Sequence, residues 1–237
     1  MSKHQKRISA PRSWPIGRKE HYWTVKPGSG PHPTEHAIPL LILIRDFLNL
    51  ADNSKEAKRI LHEGKVLVNG RVRKDHKFPV GIFDIISIPL IEKHYRVLTD
   101  HRGKLTFTQI SEEGSKTKLC RVNDKSTVKG GKIQLNMHDG RNIIGSNDIK
   151  TKDSVIISIP DNKILKRYSF DEGNYAMVMG GKHSGEVGVI KSIKKLRSSS
   201  PNLISIQKGE KEIETVEDYV FIVGEDKLEI DLKGISA

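Results

Sequence analysis

The spacing of apolar residues predicts two helices after a long stretch without any hydrophobic period. Between residues 40 and 48 apolar side chains recur three and four positions apart, and Pro39 suits the first turn of a helix. Residues 52–54, Asp-Asn-Ser, break this pattern and can cap a second helix at 55–63, which Gly64 ends. The first helix is expected to be largely buried, whereas the second has one narrow apolar face.

A tight β-hairpin is predicted directly after the second helix. Val66 and Val68 alternate with their neighbours as strand residues do, and Asn69-Gly70 is a strong signal for a two-residue type I′ turn. The apolar segment 84–88 then supplies a strand that can pair with the hairpin and cover the helices. The predicted order is helix, helix, hairpin, strand.

Basic side chains are concentrated on the second helix and on the hairpin. Those of the helix stand at i, i+3, i+4 and i+7, so they share one face, and a single residue joins that helix to the hairpin. A helix face of this kind can serve solubility alone, but its closeness to a basic hairpin favours contacts with RNA phosphates. The candidate RNA-binding residues here are Lys55, Lys58, Arg59, His62, Lys65, Arg71, Arg73 and Lys74.

Residues 1–36 show no sustained period and contain five prolines and three glycines. We expect an extended basic arm that is flexible in the free protein and becomes fixed on RNA, the alternative being a solvated tail. Trp14, Tyr22 and Trp23 can stack on bases or on the next module. The candidate RNA-binding residues of the arm are Lys3, Lys6, Arg7, Arg12, Arg18 and Lys19.

The remaining two thirds of the chain read as β structure. Short strand-like runs recur from 95 to 169, and Asp139-Gly140 predicts a second type I′ hairpin between 133–137 and 142–144. These strands indicate a small barrel or sandwich, from which no function can be inferred.

Glycines punctuate the apolar strand residues of the last segment, which begins near 170. Gly181, Gly185 and Gly188 stand where a strand has a bulge or a close backbone approach. This segment resembles a KOW motif, the strand-loop-strand element of SH3-like barrels in ribosomal proteins and transcription elongation factors. Lys182 in its exposed loop is a further candidate RNA-binding residue.

Composition narrows the choice of partner. The 237 residues are 35% hydrophobic and 30% charged, which favours several small units, and the net charge of +12 indicates a polyanion, nucleic acid ahead of an anionic membrane. The last 67 residues instead hold 9 Lys and Arg against 12 Asp and Glu. The longest apolar run, 37–44, is too short to span a bilayer. A single cysteine, Cys120, forms no internal disulfide, so a reducing cytoplasm is expected.

Motifs of catalysis, cofactor binding and metal binding fail on their spacing. Gly-Gly-Lys at 130–132 and 180–182 lacks the remainder of a Walker loop, and the GEVG of 185–188 lacks the flanking helices of a KH module. His32 and His36 have no second pair of zinc ligands. We therefore predict no cofactor, no metal, no small-molecule substrate and no enzymatic activity.

The order of elements and the G-x-V-x-V-N-G core at 64–70 resemble the S-four domain, a small module that grips structured RNA with its second helix and the following loop. Over nearly the whole chain the sequence resembles the archaeal and eukaryotic ribosomal protein family S-four-e. The stretches that carry this resemblance are APRSW at 10–14, FPVGIFDIISI at 78–88, KLCRV at 118–122, HDGRNI at 138–143 and VMGGK at 178–182. An archaeal member is expected, because eukaryotic members generally end in a basic tail.

The resemblance implies a structural constituent of the small ribosomal subunit, with rRNA and neighbouring ribosomal proteins as partners and no homo-oligomer. An RNA-modifying enzyme, such as a pseudouridine synthase, and a KOW-type transcription factor remain alternatives. The expected fold is α+β and mostly β, in several modules. These modules are a basic arm at 1–36, an S-four-type RNA-binding module at 37–94, a central β domain at 95–169 and an SH3-like KOW barrel with an acidic end at 170–237.

Overall fold

The computed structural model describes residues 4–198 and 200–225. Lys3 and most of the acidic end lie outside these ranges. The chain forms two compact units. Unit 1 contains the chain up to Val97, together with Lys104–Lys118 and Ile159–Asp161; unit 2 contains Leu98–Gly103, Leu119–Ser158 and the chain from Asn162 onward.

Strands predominate, as the strand-like runs and turn signals predict. The α-helices are α1 (Leu40–Ile42), α2 (Ser54–His62) and α3 (Glu112–Ser115). A π-helix, Leu43–Phe47, continues α1, and 3-10 turns cover Arg7–Ser9, Thr34–His36, Pro89–Ile91 and Glu217–Tyr219. Among the described residues, no helix has the length and hydropathy that crossing a membrane requires.

The strands of the first half of the chain are short. They are β1 (Gln5–Lys6), β2 (Trp23–Thr24), β3 (Ala37–Pro39), β4 (Leu67–Val68), β5 (Arg71–Val72), β6 (Pro79–Gly81), β7 (Ile85–Ile88), β8 (Lys93–Thr99) and β9 (Leu105–Ile110). β1 pairs with β2 and β3 pairs with β6, both antiparallel. The others form one sheet in the order β5-β4-β7-β8-β9.

Strands β8 and β9 therefore belong to the sheet of the basic hairpin, although the sequence analysis grouped most of their residues with the central β domain. β7 and β8 pair antiparallel from Ile85↔Arg96 to Ile88↔Lys93. The connection between them is one 3-10 turn, closed by Glu92 at φ 50°. Such a short link leaves consecutive strands adjacent, and adjacent strands usually pair.

Two further sheets contain the later strands. These are β10 (Thr117–Val128), β11 (Lys132–Met137), β12 (Asn142–Gly145), β13 (Ser154–Ser158), β14 (Ile164–Tyr168), β15 (Tyr175–Val178), β16 (Val187–Lys194), β17 (Leu203–Lys208), β18 (Lys211–Val216) and β19 (Val220–Gly224). The sheet orders are β12-β11-β10-β13-β14 and β18-β17-β16-β15-β19. Cys120 is buried in the first of these, among Val122, Leu135 and Ile157, as a small core residue.

The two turns predicted as type I′ differ in the structure. Asn69 and Gly70 have φ of 51° and 73°, as a type I′ turn requires, so the first prediction is confirmed. Gly140 has φ 72° but Asp139 is not left-handed, and the Gly140 N–H donates to Met137 O at 3.0 Å. The second prediction is wrong. A type I′ turn needs two successive left-handed residues, whereas only Gly140 of this Asp-Gly pair is left-handed.

The first segment of the chain is folded onto unit 1, in contrast to the extended arm expected from its composition. Trp14 is 1% exposed, and its indole N–H donates to Ala37 O at 2.6 Å. Leu105 N–H donates to Ser13 O at 2.8 Å. A segment without a core of its own is thus held by one buried aromatic ring and by backbone bonds to other elements.

Candidate RNA-binding surface

Helix α2 has a defined start that fixes which of its faces is exposed. The Asn53 side chain accepts the N–H groups of Lys55 and Glu56 at 3.0 and 2.9 Å, which satisfies donors that would otherwise lack partners. Ala57 and Leu61 are fully buried. The four basic residues predicted from the helical spacing are all exposed, and they are Lys55, Lys58, Arg59 and His62.

A carboxylate joins the helix face to the start of the hairpin. Glu63 Oε1 lies 3.0 Å from Arg59 Nε, and its Oε2 lies 2.5 Å from Lys65 Nζ. Hydrogen bonds from Lys65 and then from Arg59 hold the pKa of Glu63 below its usual value. The carboxylate therefore stays ionised and keeps the two cations side by side.

The hairpin lies directly beyond this pair. Gly64, the single joint residue, has φ 74°, and a Cβ added to it would lie 3.3 Å from Val72 Cγ1 and 3.9 Å from Lys74 Cε. The Lys74 stem therefore crosses the joint between helix and hairpin. Arg71 and Lys74 are exposed, so the hairpin and α2 both present basic side chains to solvent within unit 1. We call Lys55, Lys58, Arg59, His62, Lys65, Arg71 and Lys74 the helix–hairpin surface.

Arg73, the remaining predicted residue of the hairpin, differs from its neighbours. Its guanidinium stacks over the Phe78 ring, 4.5 Å from the centroid, and the side chain is half-buried. A stacked guanidinium is held in place by cation–π attraction. Arg73 therefore stabilises the loop after β5 and is less available to a partner than Arg71 or Lys74.

His76 and Lys77 border the helix–hairpin surface, and the sequence analysis missed both. Burial lowers the pKa of His76, and the positive charge of Lys58 lowers it further, with smaller effects of the same sign from Lys77 and His62. Lys58, Lys77 and His62 therefore lie close enough to His76 to act on it electrostatically. The sequence signal is the run Lys74-Asp-His-Lys77, which continues the basic hairpin.

A buried ionic cluster supports the turn of the hairpin. Asp84, fully buried, accepts from Lys118 Nζ at 2.7 Å and Asn69 Nδ2 at 2.8 Å on Oδ1, and from Gly81 N–H at 2.9 Å on Oδ2. His32 Nε2 lies 2.9 Å from the same Oδ2. Burial alone would raise the pKa of Asp84, but the charges of Lys118 and His32 and the hydrogen bonds hold it well below its usual value.

The predicted residues of the first segment have different environments. Lys6, Arg12 and Lys19 are exposed, and Arg18 is half-buried with its guanidinium donating to Ile8 O and Pro11 O. Arg7 is 4% exposed, donates to Gly17 O at 2.5 Å and pairs with Glu20 at 2.8 Å. Arg7 therefore holds the segment together, and a buried, paired guanidinium is not available to RNA.

Two other groups lie in unit 2. Lys182 is exposed in the loop between β15 and β16, as predicted. Cys120, His138 and Asp139 bring ligand-type atoms within 4.8 Å of one another. Hydrogen bonds account for this cluster without an ion, because the Cys120 thiol donates to Asp139 Oδ2 at 3.8 Å and Arg141 Nε pairs with the same carboxylate at 3.2 Å.

The chain is similar to known protein families and to known proteins. Three family models match, described as "RS4NT (NUC023) domain" over residues 1–35, "S4 domain" over 40–86 and "Ribosomal family S4e" over 91–164. The small ribosomal subunit protein eS4 of Archaeoglobus fulgidus is 52% identical over 232 residues, which cover 97% of each chain. The chain belongs to the S-four-e family of ribosomal proteins.

Other S-four-e proteins extend this relationship. The small ribosomal subunit protein eS4 of Methanocaldococcus jannaschii is 43% identical over 236 residues, 95% of each chain. The crystal structure of the 30S ribosomal protein S4e from Thermoplasma acidophilum superposes with a TM-score of 0.70 at 36% identity, covering 80% of this chain and 96% of that one. The matched S-four domain, residues 40–86, contains α2, the whole hairpin and therefore all residues of the helix–hairpin surface.

Proposed function

We propose that this chain is a structural constituent of the small ribosomal subunit and that it binds folded rRNA through the helix–hairpin surface. The function follows from the relatives, which are named small ribosomal subunit proteins and match over nearly their full length. The assignment of the surface rests on the exposed cations of α2 and the hairpin, which meet across a one-residue joint.

The observation that carries the proposal is the crowding of like charges around this joint. Burial is the main reason why the pKa of His76 is lowered, and the charge of Lys58 lowers it further, while Asp75 opposes the smaller effects of Lys77 and His62. A phosphate backbone relieves this repulsion and releases its own counterions at the same time. Because phosphates carry no base identity, such a surface recognises the position and shape of an RNA helix rather than its sequence.

The support for the hairpin is consistent with this role. The Asn69 amide accepts the N–H of Ile85 at 3.0 Å while its nitrogen donates to Asp84, so the turn is tied to β7 from inside the protein. A hairpin that is ordered before binding loses less conformational entropy when it meets a ligand. We therefore assign the buried cluster a positioning role for Arg71 and Lys74.

The later modules are assigned by analogy. We propose that β18-β17-β16-β15-β19 forms the SH3-like KOW barrel and that Lys182 contacts rRNA from its loop. Gly185 and Gly188 support this, because a Cβ would lie 2.5 Å from Asp100 O at the first and 2.5 Å from Gln207 O at the second. The module boundaries expected from the sequence remain proposals, with one change. We propose that the S-four-type module extends through β8 and β9, because these strands belong to the sheet of the hairpin.

The partners we propose are small-subunit rRNA and neighbouring ribosomal proteins in the cytoplasm, with the chain entering the ribosome as a single copy. The hypotheses of an RNA-modifying enzyme and of a KOW-type transcription factor are set aside, because full-length relatives are ribosomal proteins.

Co-sedimentation tests the proposal. The purified chain is mixed with small subunits depleted of their own copy, washed with moderate salt and centrifuged. We expect the wild type to sediment with the subunits at about one copy per particle and the variant Lys55→Ala/Lys58→Ala/Arg59→Ala to be washed off at lower salt. Lys191→Ala/Lys194→Ala is a matched control, because both lysines are exposed, lie in unit 2 outside the helix–hairpin surface and pair with glutamates as Arg59 does. Equal retention of the triple variant and the control would contradict the assignment of the surface.

A further inference from the structure

We infer that the β1–β2 corner of unit 1 contains a second RNA site, which takes an unpaired nucleotide by stacking its base against Tyr22. This inference rests on the proposed ribosomal function, but it shares no residue with the helix–hairpin surface. It also differs in ligand, since the helix–hairpin surface fits the phosphates of a helix and the corner fits a single exposed base.

The first observation is a group of large apolar side chains left in solvent. Ile8, Tyr22 and Trp23 are 64%, 62% and 55% exposed. Single exposed apolar residues are common, but a contiguous group beside charges marks an interaction site. Trp14, the other tryptophan, is buried, so the segment exposes one indole ring while burying the other.

The second observation is the arrangement of the rings. Tyr22 and Trp23 are perpendicular, with centroids 4.7 Å apart and an interplanar angle of 82°. The β1–β2 pairing sets Lys6 opposite Trp23, and Lys6 Nζ lies 5.5 Å from the centroid of the Tyr22 ring. Tyr22 therefore has an indole packed against it in a T-shaped contact and a cation over its ring.

A groove of about 300 Å³ runs along Tyr22. Ile8 and Tyr22 contribute its apolar part, and Lys6, Arg18 and Lys19 contribute the positive charge. Glu20 and His21 complete the lining, and the Glu20 carboxylate is paired with Arg7 at 2.8 Å. This volume is at the lower end of the range for small-molecule sites, about 300–1,000 Å³. Arg18 is fixed by its bonds to Ile8 O and Pro11 O, so the floor of the groove is ordered.

An unpaired nucleotide fits these features better than a helix or a neighbouring protein does. Bases inside a duplex have no free face, whereas a splayed base can stack on an aromatic ring. The lysines at the rim complement the phosphate that follows the base. A protein partner would need acidic groups for the same cations together with an apolar segment for the groove, and it is the alternative that the test must separate.

Trp23 provides the test, because it is the exposed member of the two tryptophans and touches Tyr22. Short single-stranded oligoadenylate is titrated into the full chain while tryptophan fluorescence is recorded. We expect quenching of the exposed Trp23 with oligoadenylate and much less with inorganic polyphosphate of equal charge, which has no bases, or with the same strand annealed to oligouridylate.

The decisive variant is Tyr22→Leu, which keeps an apolar side chain but removes the ring. Because Tyr22 is exposed, folding is expected to be unaffected, and the buried Trp14 reports this directly. Loss of one base–aromatic stack is expected to weaken oligoadenylate binding by about 5- to 100-fold. Tyr219→Leu is the matched control on an exposed tyrosine of unit 2, and it is expected to bind oligoadenylate as the wild type does.

The inference is overturned if polyphosphate quenches Trp23 as oligoadenylate does, or if Tyr22→Leu binds with unchanged affinity, since either result reduces the corner to a charged surface. It is also overturned if Trp23 becomes shielded from iodide in assembled subunits while oligoadenylate leaves it unquenched in the free chain, because a neighbouring protein then covers the corner. None of these results depends on how the triple variant behaves on subunits.

Discussion

Replacement of Asp84 by Asn is expected to destabilise unit 1 strongly. The carboxylate is fully buried and lies within hydrogen-bond distance of four groups, on Lys118, Asn69, Gly81 and His32. An amide of the same shape has one oxygen and one nitrogen. It can therefore accept on one side only, and its N–H groups then face donors on the other side. The change also removes the negative charge that faces the Lys118 ammonium.

The expected loss is about 3–5 kcal/mol, the range for breaking a buried ion pair by removing one partner. Lys118→Met is expected to fall in the same range, because the long apolar side chain leaves the buried carboxylate without its nearest cation. The double variant Asp84→Asn/Lys118→Met is expected to lose less than the sum of the two single variants, since each single change leaves part of an ionic pair in a buried site.

Tryptophan fluorescence during urea unfolding measures this loss, because Trp14 and Trp23 both lie in unit 1. Asp75→Asn is the matched control: Asp75 is exposed, accepts a local N–H from Lys77 and lies 3.8 Å from His76 Nδ1, so a change within about 0.5 kcal/mol is expected. The expected loss for Asp84→Asn is about 3–5 kcal/mol, and a loss of less than about 1 kcal/mol, measured beside this control, would refute the reasoning.

The same cluster predicts a dependence on pH with a defined sign. The pKa of Asp84 is lower in the folded protein than in the unfolded chain, where it is about 3.9. A group of this kind contributes stability that is fully present above the unfolded pKa and is lost as the pH falls through the folded pKa. The difference between wild type and Asp84→Asn is therefore expected to be constant near neutral pH and to shrink below about pH 4.

Three further outcomes are expected. Gly188→Val is expected to lower the melting temperature, because a Cβ there would lie 2.5 Å from a backbone oxygen, with a cost of about 1–3 kcal/mol or more; unchanged melting would mean that β16 can shift away. Gly81→Ala is expected to destabilise unit 1, since the added methyl would lie 2.3 Å from the His32 ring, and unfolding in urea measures it. RNA affinity is expected to rise as the pH falls from about 7.5 towards about 5.5, a range that spans the usual histidine pKa. The reason is that phosphate favours the protonated form of His76, so His76→Gln is expected to flatten that rise in a binding titration.

Local patterns predicted the elements that depend on neighbouring residues. The Asn69-Gly70 turn needs two left-handed residues in succession, and few residue pairs other than Asn-Gly accept that backbone. The start of α2 was predictable to within one residue, because the Asn53 cap and the narrow apolar face lie inside one short window. For the same reason the exposed cations of α2 were found from their spacing.

The environments that the sequence did not predict depend on contacts between residues far apart along the chain. Arg7 looked like its exposed neighbours, but it is buried and its guanidinium bonds to Gly17 and Glu20, ten and thirteen residues away. His32 looked like a solvated residue of a flexible arm but lies beside Asp84, 52 positions later. A segment rich in proline and charge can still be ordered when its few large side chains find sites in another module, and composition does not reveal those sites.

The helix–hairpin surface was therefore predictable as a set of residues but not in its detail. The stacking of Arg73 on Phe78 removes one expected contact, and the effect of Lys58 on His76 adds another. Both depend on how the loop after β5 folds back towards α2. No local periodicity in the sequence indicates the path of that loop.

The salt dependence of binding to small-subunit rRNA tests the central claim most directly. Each phosphate contact contributes about 1 to the slope of log affinity against log salt concentration. If the helix–hairpin surface neutralises phosphates, Lys55→Ala/Lys58→Ala/Arg59→Ala is expected to flatten that slope by about 2–3 while the free energy of unfolding stays close to that of the wild type. The paired lysines Lys191 and Lys194, replaced together by Ala, are expected to leave the slope unchanged. A triple variant with the slope and affinity of this control would contradict the account, because the basic face of α2 would then be only a solvated surface.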